Sequence, residues 1–187
     1  MRSFFALATL VCLAIPAAIQ AADEAPADTT FTVADGKMTF KAPAGWVKKM
    51  PRSRIVEVEF EIPAAKDDTA AGRLTMMGAG GEVQANIDRW VGQFKQEDGS
   101  DTKAKVEKLT VADCEVHYVD LSGTYMDNPA PFSGAKAIPR DNYRQLSVII
   151  LNKKVGNYFL KFYGPKATVA ENEKAFRDLV GSLTVKE

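Results

Sequence analysis

The sequence predicts an α+β fold in which helices flank an antiparallel β-sheet. Over short runs, apolar residues alternate with polar ones, which is the pattern of strands that are buried on one face. Two longer segments carry apolar residues at helical spacing instead. Short turns join most of the strand segments, so we expect strands that follow one another in the chain to pair as hairpins.

The clearest strand is Arg54–Ile62, whose alternate residues from Val56 to Ile62 are apolar and share one face, with glutamates opposite. The turn Asp35-Gly36 predicts a hairpin near the start of the domain. In chain order, strands are predicted at Phe31–Val33, Lys37–Lys41, Arg54–Ile62, Arg73–Gly78, Lys103–Val111, Cys114–Thr124, Tyr143–Leu151 and Asn157–Tyr163.

Two helices are expected. The first runs over Glu82–Lys95 and places Trp90 on its apolar stripe. The last begins at Thr168, which has capping-box spacing with Glu171. The segment Gly78–Gly81 precedes the first helix, where backbone amides attract anions. It lacks the further residues of a nucleotide-binding loop, so we interpret it as a flexible connection.

Length, composition and charge bound the class of protein. The chain has 187 residues, of which 46% are apolar and 26% charged, values that are typical of one globular domain. Its 24 basic and 24 acidic residues cancel. A neutral total argues against nucleic acid as a partner and against electrostatic docking on an anionic membrane.

The N-terminus predicts an export signal. Arg2 precedes the apolar stretch Phe4–Ile15, and small residues up to Ala21 form a cleavage site. The apolar stretch is too short to span a membrane. We therefore expect an extracytoplasmic protein, periplasmic or secreted, without a membrane span after cleavage. The predicted organisation is a signal peptide, a flexible leader and a single domain, at residues 1–21, 22–30 and 31–187.

Only one cysteine would remain in the processed chain. Cys12 lies in the signal segment, so Cys114 has no partner for an intramolecular disulfide. We expect Cys114 to be a small buried side chain, with a reactive thiol as the alternative.

One group of residues has the composition of a metal site. On a regular strand, Asp113, Glu115 and His117 project from one face, and two carboxylates with an imidazole can hold a divalent ion. The alternative is a solvated strand face. A Ser-His-Asp triad is not expected, because Asp120 and Ser122 lie on the face opposite His117. No cofactor is predicted.

A long segment without periodicity, Met126–Asp141, is the best candidate for a contact surface. It contains prolines, and its large side chains can grip a partner or line a pocket. The alternative is that Phe132 folds onto the sheet. The residues predicted to contact a partner are Tyr125, Met126, Phe132, Lys136 and Arg140.

Several motifs resemble the PsbP/Mog1-like superfamily. Phe40–Trp46 is similar to its F-x-x-P-x-G-W opening, and Asn86–Trp90 resembles its first helix. Leu121–Tyr125 resembles the central strand, and Tyr158–Pro165 with Phe176–Leu183 resembles the last strand and closing helix. The resemblance implies an α/β/α sandwich. Some members are accessory subunits of photosynthetic complexes, one group binds a small GTPase, and many bacterial members have no assigned role, so no catalytic set carries over.

The leading hypothesis is a non-catalytic binding or accessory module whose partner is an envelope protein. The alternative is a small-molecule or metal-binding protein, conceivably a small enzyme, centred on Asp113, Glu115 and His117. A third hypothesis is a structural stabiliser without a ligand.

Overall fold

The computed structural model describes residues 29–128, 134 and 136–186. These residues form antiparallel strands and short helices. The strands are β1 (Thr29–Val33), β2 (Met38–Ala42), β3 (Val47–Lys49), β4 (Val58–Ile62), β5 (Gly72–Gly78), β6 (Phe94–Lys95), β7 (Lys105–Val111), β8 (Cys114–Asp127), β9 (Ile138–Leu151), β10 (Tyr158–Pro165) and β11 (Thr184–Val185). The helices are α1 (Val83–Val91), α2 (Lys166–Glu171) and α3 (Glu173–Gly181).

The strands form two sheets in which all pairings are antiparallel. The small sheet has the order β1-β2-β11. The large sheet has the order β3-β4-β5-β10-β9-β8-β6, and β7 also pairs with β8. Strands that follow one another therefore pair as β1-β2, β3-β4, β4-β5, β7-β8, β8-β9 and β9-β10, which confirms the predicted α+β class.

Each face of the large sheet has its own core. One face packs against the small sheet and against α2 and α3, with Phe40, Phe162 and Phe176 fully buried between them. The other face is covered by α1, whose Ile87 and Trp90 pack on β8, β9 and β10. Helices thus lie on both faces, as in the predicted sandwich.

The predicted hairpin at Asp35-Gly36 is confirmed. Val33 pairs with Met38 across the turn, and Asp35 and Gly36 have φ angles of 55° and 76°. Aspartate tolerates this left-handed conformation better than most residues, and glycine adopts it without strain. This turn chemistry is why the local sequence was sufficient to predict the hairpin.

The predicted first helix is too long at its C-terminal end. Helix α1 ends at Val91, and Phe94 then pairs with Tyr125 as part of β6. The phenyl ring of Phe94 continues the apolar stripe in the sequence, although its backbone belongs to the sheet. Apolar spacing alone did not separate these two environments.

The predicted capping box at Thr168 is wrong. Helix α2 begins at Lys166, so Thr168 lies inside it and is fully buried. Its hydroxyl donates to Asp68 Oδ2 at 2.6 Å and accepts from the amide of Ala65 at 2.9 Å. A tertiary contact with the 63–71 loop has replaced the local capping interaction that the sequence suggested.

Candidate functional site

The predicted metal-binding residues are only partly brought together. Asp113 lies in the β7–β8 turn with a φ of 59°, and not on the strand. Glu115 and His117 do share one face of β8, and Glu115 Oε1 lies 2.6 Å from His117 Nε2. Lys108 Nζ lies 3.0 Å from the same oxygen. Among residues 29–128, 134 and 136–186, no group of three or more His, Cys, Asp or Glu side chains is placed to hold a metal ion.

The electrostatics at this position suit an ion pair. Hydrogen bonds from Lys108 and then His117 lower the pKa of Glu115 below its usual range. The His117 side chain is mostly buried, whereas that of Glu115 is about half exposed. The carboxylate is therefore already occupied by two donors from its own sheet.

Asp113 and Glu115 also line an open cleft of about 760 Å³. Its walls come from the start of α1, the β7–β8 turn, the 152–157 turn and β11. Lys153 and Lys154 also line this cleft, so its charge is mixed. Cys114 is buried next to it and accepts a hydrogen bond from Asn152 Nδ2 at 3.2 Å, which agrees with the expected buried thiol.

The predicted contact loop is shorter than expected. Strands β8 and β9 stay paired as far as Asp127 and Ile138, so both ends of the segment Met126–Asp141 belong to the hairpin strands. The prolines of this segment argued against a strand. Pro139 fits into β9 because it pairs with Met126 of β8 on one side, while the pairing of β9 with β10 on the other side ends at Tyr143. Phe132 lies outside the described residues.

The predicted contact residues divide between core and surface. Tyr125 is buried, 6% exposed, and its ring packs on Phe94 and Tyr143, so its assignment to a contact loop was wrong. Met126 is half-buried, and its amide donates to the carbonyl of Gln93 at 2.8 Å. Lys136 and Arg140 are exposed.

The far end of this hairpin projects beyond the sheet. Strand β10 pairs with β9 only as far as Tyr143, and β6 pairs with β8 only as far as Tyr125. Residues 126–127 pair with 138–139, and none of residues 126–127 and 138–142 pairs with a described strand other than β8 or β9. We call residues 126–127 and 138–142 the distal ribbon. All five residues 138–142 are exposed, including 44% of Ile138.

A β-bulge sets the direction of the distal ribbon. Gly123 pairs with Tyr143 and Tyr125 pairs with Arg140, so two residues of β9 lie opposite the single residue Thr124. The extra residue bends and twists the hairpin at this point. Asn142 in the bulge has a φ of 55°. The bulge lies at the edge of the body, where it sets the angle at which the ribbon leaves the sheet.

A polar cluster beside the ribbon was not found from the sequence. On the α1 side of the large sheet, Arg73 donates twice to Glu59 at 2.8 Å and to the Tyr163 hydroxyl at 2.7 Å. Lys161 Nζ donates to Gln93 Oε1 at 2.6 Å and to the Tyr125 hydroxyl at 3.2 Å. It also lies 5.0 Å from the ring centres of Tyr125 and Tyr163.

Burial and hydrogen bonding shift the pKa values in this cluster. Desolvation, together with the nearby Arg73 and Arg89, lowers the pKa of Lys161 to about 7, and Asp127 opposes the shift weakly. No carboxylate lies within 4 Å of the Lys161 ammonium among the described residues. The hydrogen bond from Arg73 lowers the pKa of Glu59, although burial opposes it.

The cluster joins elements that are distant in sequence. Lys161 holds Gln93, which follows α1, onto β10, and Arg73 joins β4, β5 and β10. One sequence feature could have indicated it: Arg73, Lys161 and Tyr163 all fall on the polar phase of strands whose other phase is apolar. Their meeting depends on strand order, which periodicity does not give.

Solved structures of other proteins have a similar architecture. The solution structure of cyanobacterial PsbP (CyanoP) from Synechocystis sp. PCC 6803 matches with a TM-score of 0.52 and 12% identity, covering 89% of this chain and 98% of that one. The crystal structure of LpqN, involved in cell envelope biogenesis of Mycobacterium tuberculosis, matches with a TM-score of 0.53 and 10% identity, covering 86% and 91%.

A third match is the Pseudomonas aeruginosa protein PA94, of unknown function, with a TM-score of 0.51 and 11% identity over 86% of this chain and 98% of that one. The chain has the PsbP/Mog1-like fold. Because the identities are only 10–12%, these matches establish the fold and do not establish a role. No protein-family model and no curated protein matches the sequence. Within the described part of the chain, no helix is long and apolar enough to cross a membrane.

Proposed function

We propose that this chain is an extracytoplasmic, non-catalytic binding module that docks on an envelope protein through the distal ribbon. The predicted signal peptide supports the location. The similarity of fold to LpqN, a protein involved in cell envelope biogenesis, agrees with an envelope role. The proposal rests chiefly on the ribbon, which extends beyond the sheet and exposes five consecutive residues.

The chemistry of the ribbon suits side-chain recognition. Ile138 offers apolar area, while Arg140 and Asp141 offer charges of opposite sign. Pro139 has no amide hydrogen, which disfavours the addition of a partner strand to this edge. A hairpin whose own backbone is paired loses little conformational entropy when it binds, so a small contact of this kind can be specific.

The test is a hairpin that is shortened without disturbing the body. Because Asp127 pairs with Ile138, replacing residues 128–137 with Asn-Gly closes the same ladder with a two-residue turn. A second variant carries Ile138→Ser and Arg140→Ser. The matched control is Val106→Ser, which removes an equally exposed apolar side chain from β7, away from the ribbon.

Each variant is expressed in its native cell and used to capture partners from the envelope fraction. We expect the shortened hairpin and the double variant to lose the same envelope protein, with melting temperatures within a few degrees of wild type. The Val106 control should retain it. Identical captured sets from all four proteins would contradict the role of the ribbon.

A second candidate function is the binding of a small molecule or metal ion at the cleft that Asp113 and Glu115 line. Elemental analysis and a thermal-shift screen of divalent ions test it. Stoichiometric metal, or a shift that His117→Ala and Glu115→Gln both abolish, would support this candidate. Melting curves that no ion moves would count against it.

A further inference from the structure

The overall neutrality of the chain conceals a local concentration of charge. Residues 46–55 contain no acidic residue. This segment includes β3, at one edge of the large sheet, and much of the 50–57 loop that leads into β4. Its four basic residues, all exposed, are Lys48, Lys49, Arg52 and Arg54.

The same segment exposes apolar side chains. Val47 is 47% exposed, Met50 89% and Ile55 70%. The described residues expose five large apolar side chains, and three of them lie in this segment. Met50 and Ile55 both belong to the 50–57 loop, whose ends meet where Lys49 pairs with Glu59.

Nearby carboxylates do not cancel the positive charge. Lys49 pairs with Glu61 at 3.1 Å, and Arg52 lies 3.4 Å from Glu59. Glu59 already accepts both hydrogen bonds from Arg73, so that carboxylate is shared between two cations.

Two of the cations remain available for a ligand. Within the described residues, no carboxylate lies within 4 Å of Lys48 or Arg54. Lys48 Nζ lies 5.9 Å from the centre of the Phe31 ring.

We propose that Val47–Ile55, the basic edge patch, docks on a bilayer surface rich in anionic phospholipid headgroups. The side chains of Met50 and Ile55 would enter the boundary between headgroups and acyl chains while the cations meet the phosphates. The apolar side chains sit on an exposed loop rather than in a groove, which favours a deformable lipid surface over a shaped protein pocket. Local charge, and not the neutral total, decides such docking.

The test is sedimentation with vesicles of phosphatidylcholine alone or with about 30% phosphatidylglycerol, at low and high salt. The protein is purified from cells in its processed form, so every variant shares one N-terminus. One variant removes two unpaired cations, Lys48→Gln with Arg54→Gln, and another removes the apolar tips, Met50→Ser with Ile55→Ser. The controls are Lys153→Gln with Lys154→Gln, which removes two exposed cations from a distant turn, and Val106→Ser.

We expect binding to the anionic vesicles only, weakened by salt. The loss of two cations should reduce partitioning about 25-fold, about fivefold for each charge. The apolar variant should also bind more weakly, and both controls should bind as wild type does. The shortened β8–β9 hairpin should bind vesicles normally, which separates this proposal from the ribbon.

Three results would overturn the proposal. One is no vesicle binding by wild type. Another is an equal loss in the Lys153/Lys154 control, which would indicate a response to total charge. The third is unchanged vesicle binding by the patch variants together with loss of a captured envelope protein, which would assign the patch to a protein partner.

Discussion

Glu59 and Arg73 form an ion pair on the sheet face that α1 partly covers. The carboxylate side chain of Glu59 is only 3% exposed, and that of Arg73 is 25% exposed. Removing one partner of a buried pair leaves the other charge without compensation, which costs more than the pair itself contributes. The pair therefore favours the native register of β4 against β5 over a shifted register.

We expect Arg73→Met to lower the free energy of unfolding by about 3 kcal/mol at pH 7, because it leaves Glu59 buried without its main donor. Glu59 has a lowered pKa in the folded wild type, so the stabilisation is present above pH 4.5 and is lost as the pH falls further. Urea unfolding at pH 7 and pH 3.5 measures both effects. The control Lys49→Met breaks the exposed pair with Glu61 and should cost less than about 1 kcal/mol. Equal costs for the two variants would contradict the burial argument.

Lys161 predicts a pH dependence of the same sign in a separate, alkaline interval. Burial lowers its pKa from 10.5 to about 7 in the folded chain, so the unfolded chain binds more protons between these values. The free energy of unfolding should therefore rise with pH across this interval. Lys161→Met should remove that contribution, and the exposed Lys154→Met should keep it. Urea unfolding at pH 7 and pH 9.5 checks the difference, and parallel pH curves for Lys161→Met and wild type would refute it.

At the scale of elements, β4 separates what neighbouring residues determine from what tertiary contacts determine. The alternation of Val58, Phe60 and Ile62 was sufficient to predict a strand and its buried face, because side chains alternate in any strand. It did not predict that Glu59 on the other face is buried too. That depends on Arg73 from β5 and on the 50–57 loop, whose Arg52 amide donates to Glu59 at 3.1 Å.

The β8–β9 hairpin was underestimated for a related reason. Its outer part lacks alternation because neither face of 138–142 is buried. Backbone pairing with β8 holds it in strand conformation, and backbone hydrogen bonds leave no trace in side-chain periodicity. The exposed end of this hairpin is thus the part of the fold that its sequence pattern describes least well.

Gly123 of β8 packs closely against the backbone of β6. It has a φ of 142°, and a Cβ at this position would lie 2.6 Å from the carbonyl oxygen of Lys95. Gly123→Ala should therefore displace β6 and lower the free energy of unfolding by about 2 kcal/mol. The control Gly181→Ala, in α3, has no atom within 4 Å of the added carbon and should be neutral or slightly stabilising. Chemical denaturation measures both, and a neutral Gly123→Ala would show that β6 can move freely.

At the scale of the whole molecule, the order of the strands determines contacts that sequence patterns could not predict. The α+β class followed from periodicity and turns. The meeting of Lys161, Tyr125 and Gln93 required the order β10-β9-β8 and the position of α1, which arise from long-range pairing. The metal prediction depended on the assumption that Asp113 extends β8, and a turn with left-handed backbone placed it elsewhere.

The proposed extracytoplasmic location makes a prediction for the whole chain. If residues 1–21 are a signal peptide, intact-mass measurement of protein from the native envelope should give a chain that begins at Ala22. Changing Ala21 to a bulky residue should slow processing and leave precursor in the cell. A mass that retains Arg2 in the mature protein would contradict export by this route.

The central claim is that the distal ribbon contacts an envelope protein. Photo-crosslinking in living cells tests it most directly, with the probe placed at Ile138 or, as a control of similar exposure, at Val106. The account predicts one dominant crosslinked envelope protein from position 138 and none in common from position 106. The same crosslinked products from both positions, or none from position 138, would contradict it.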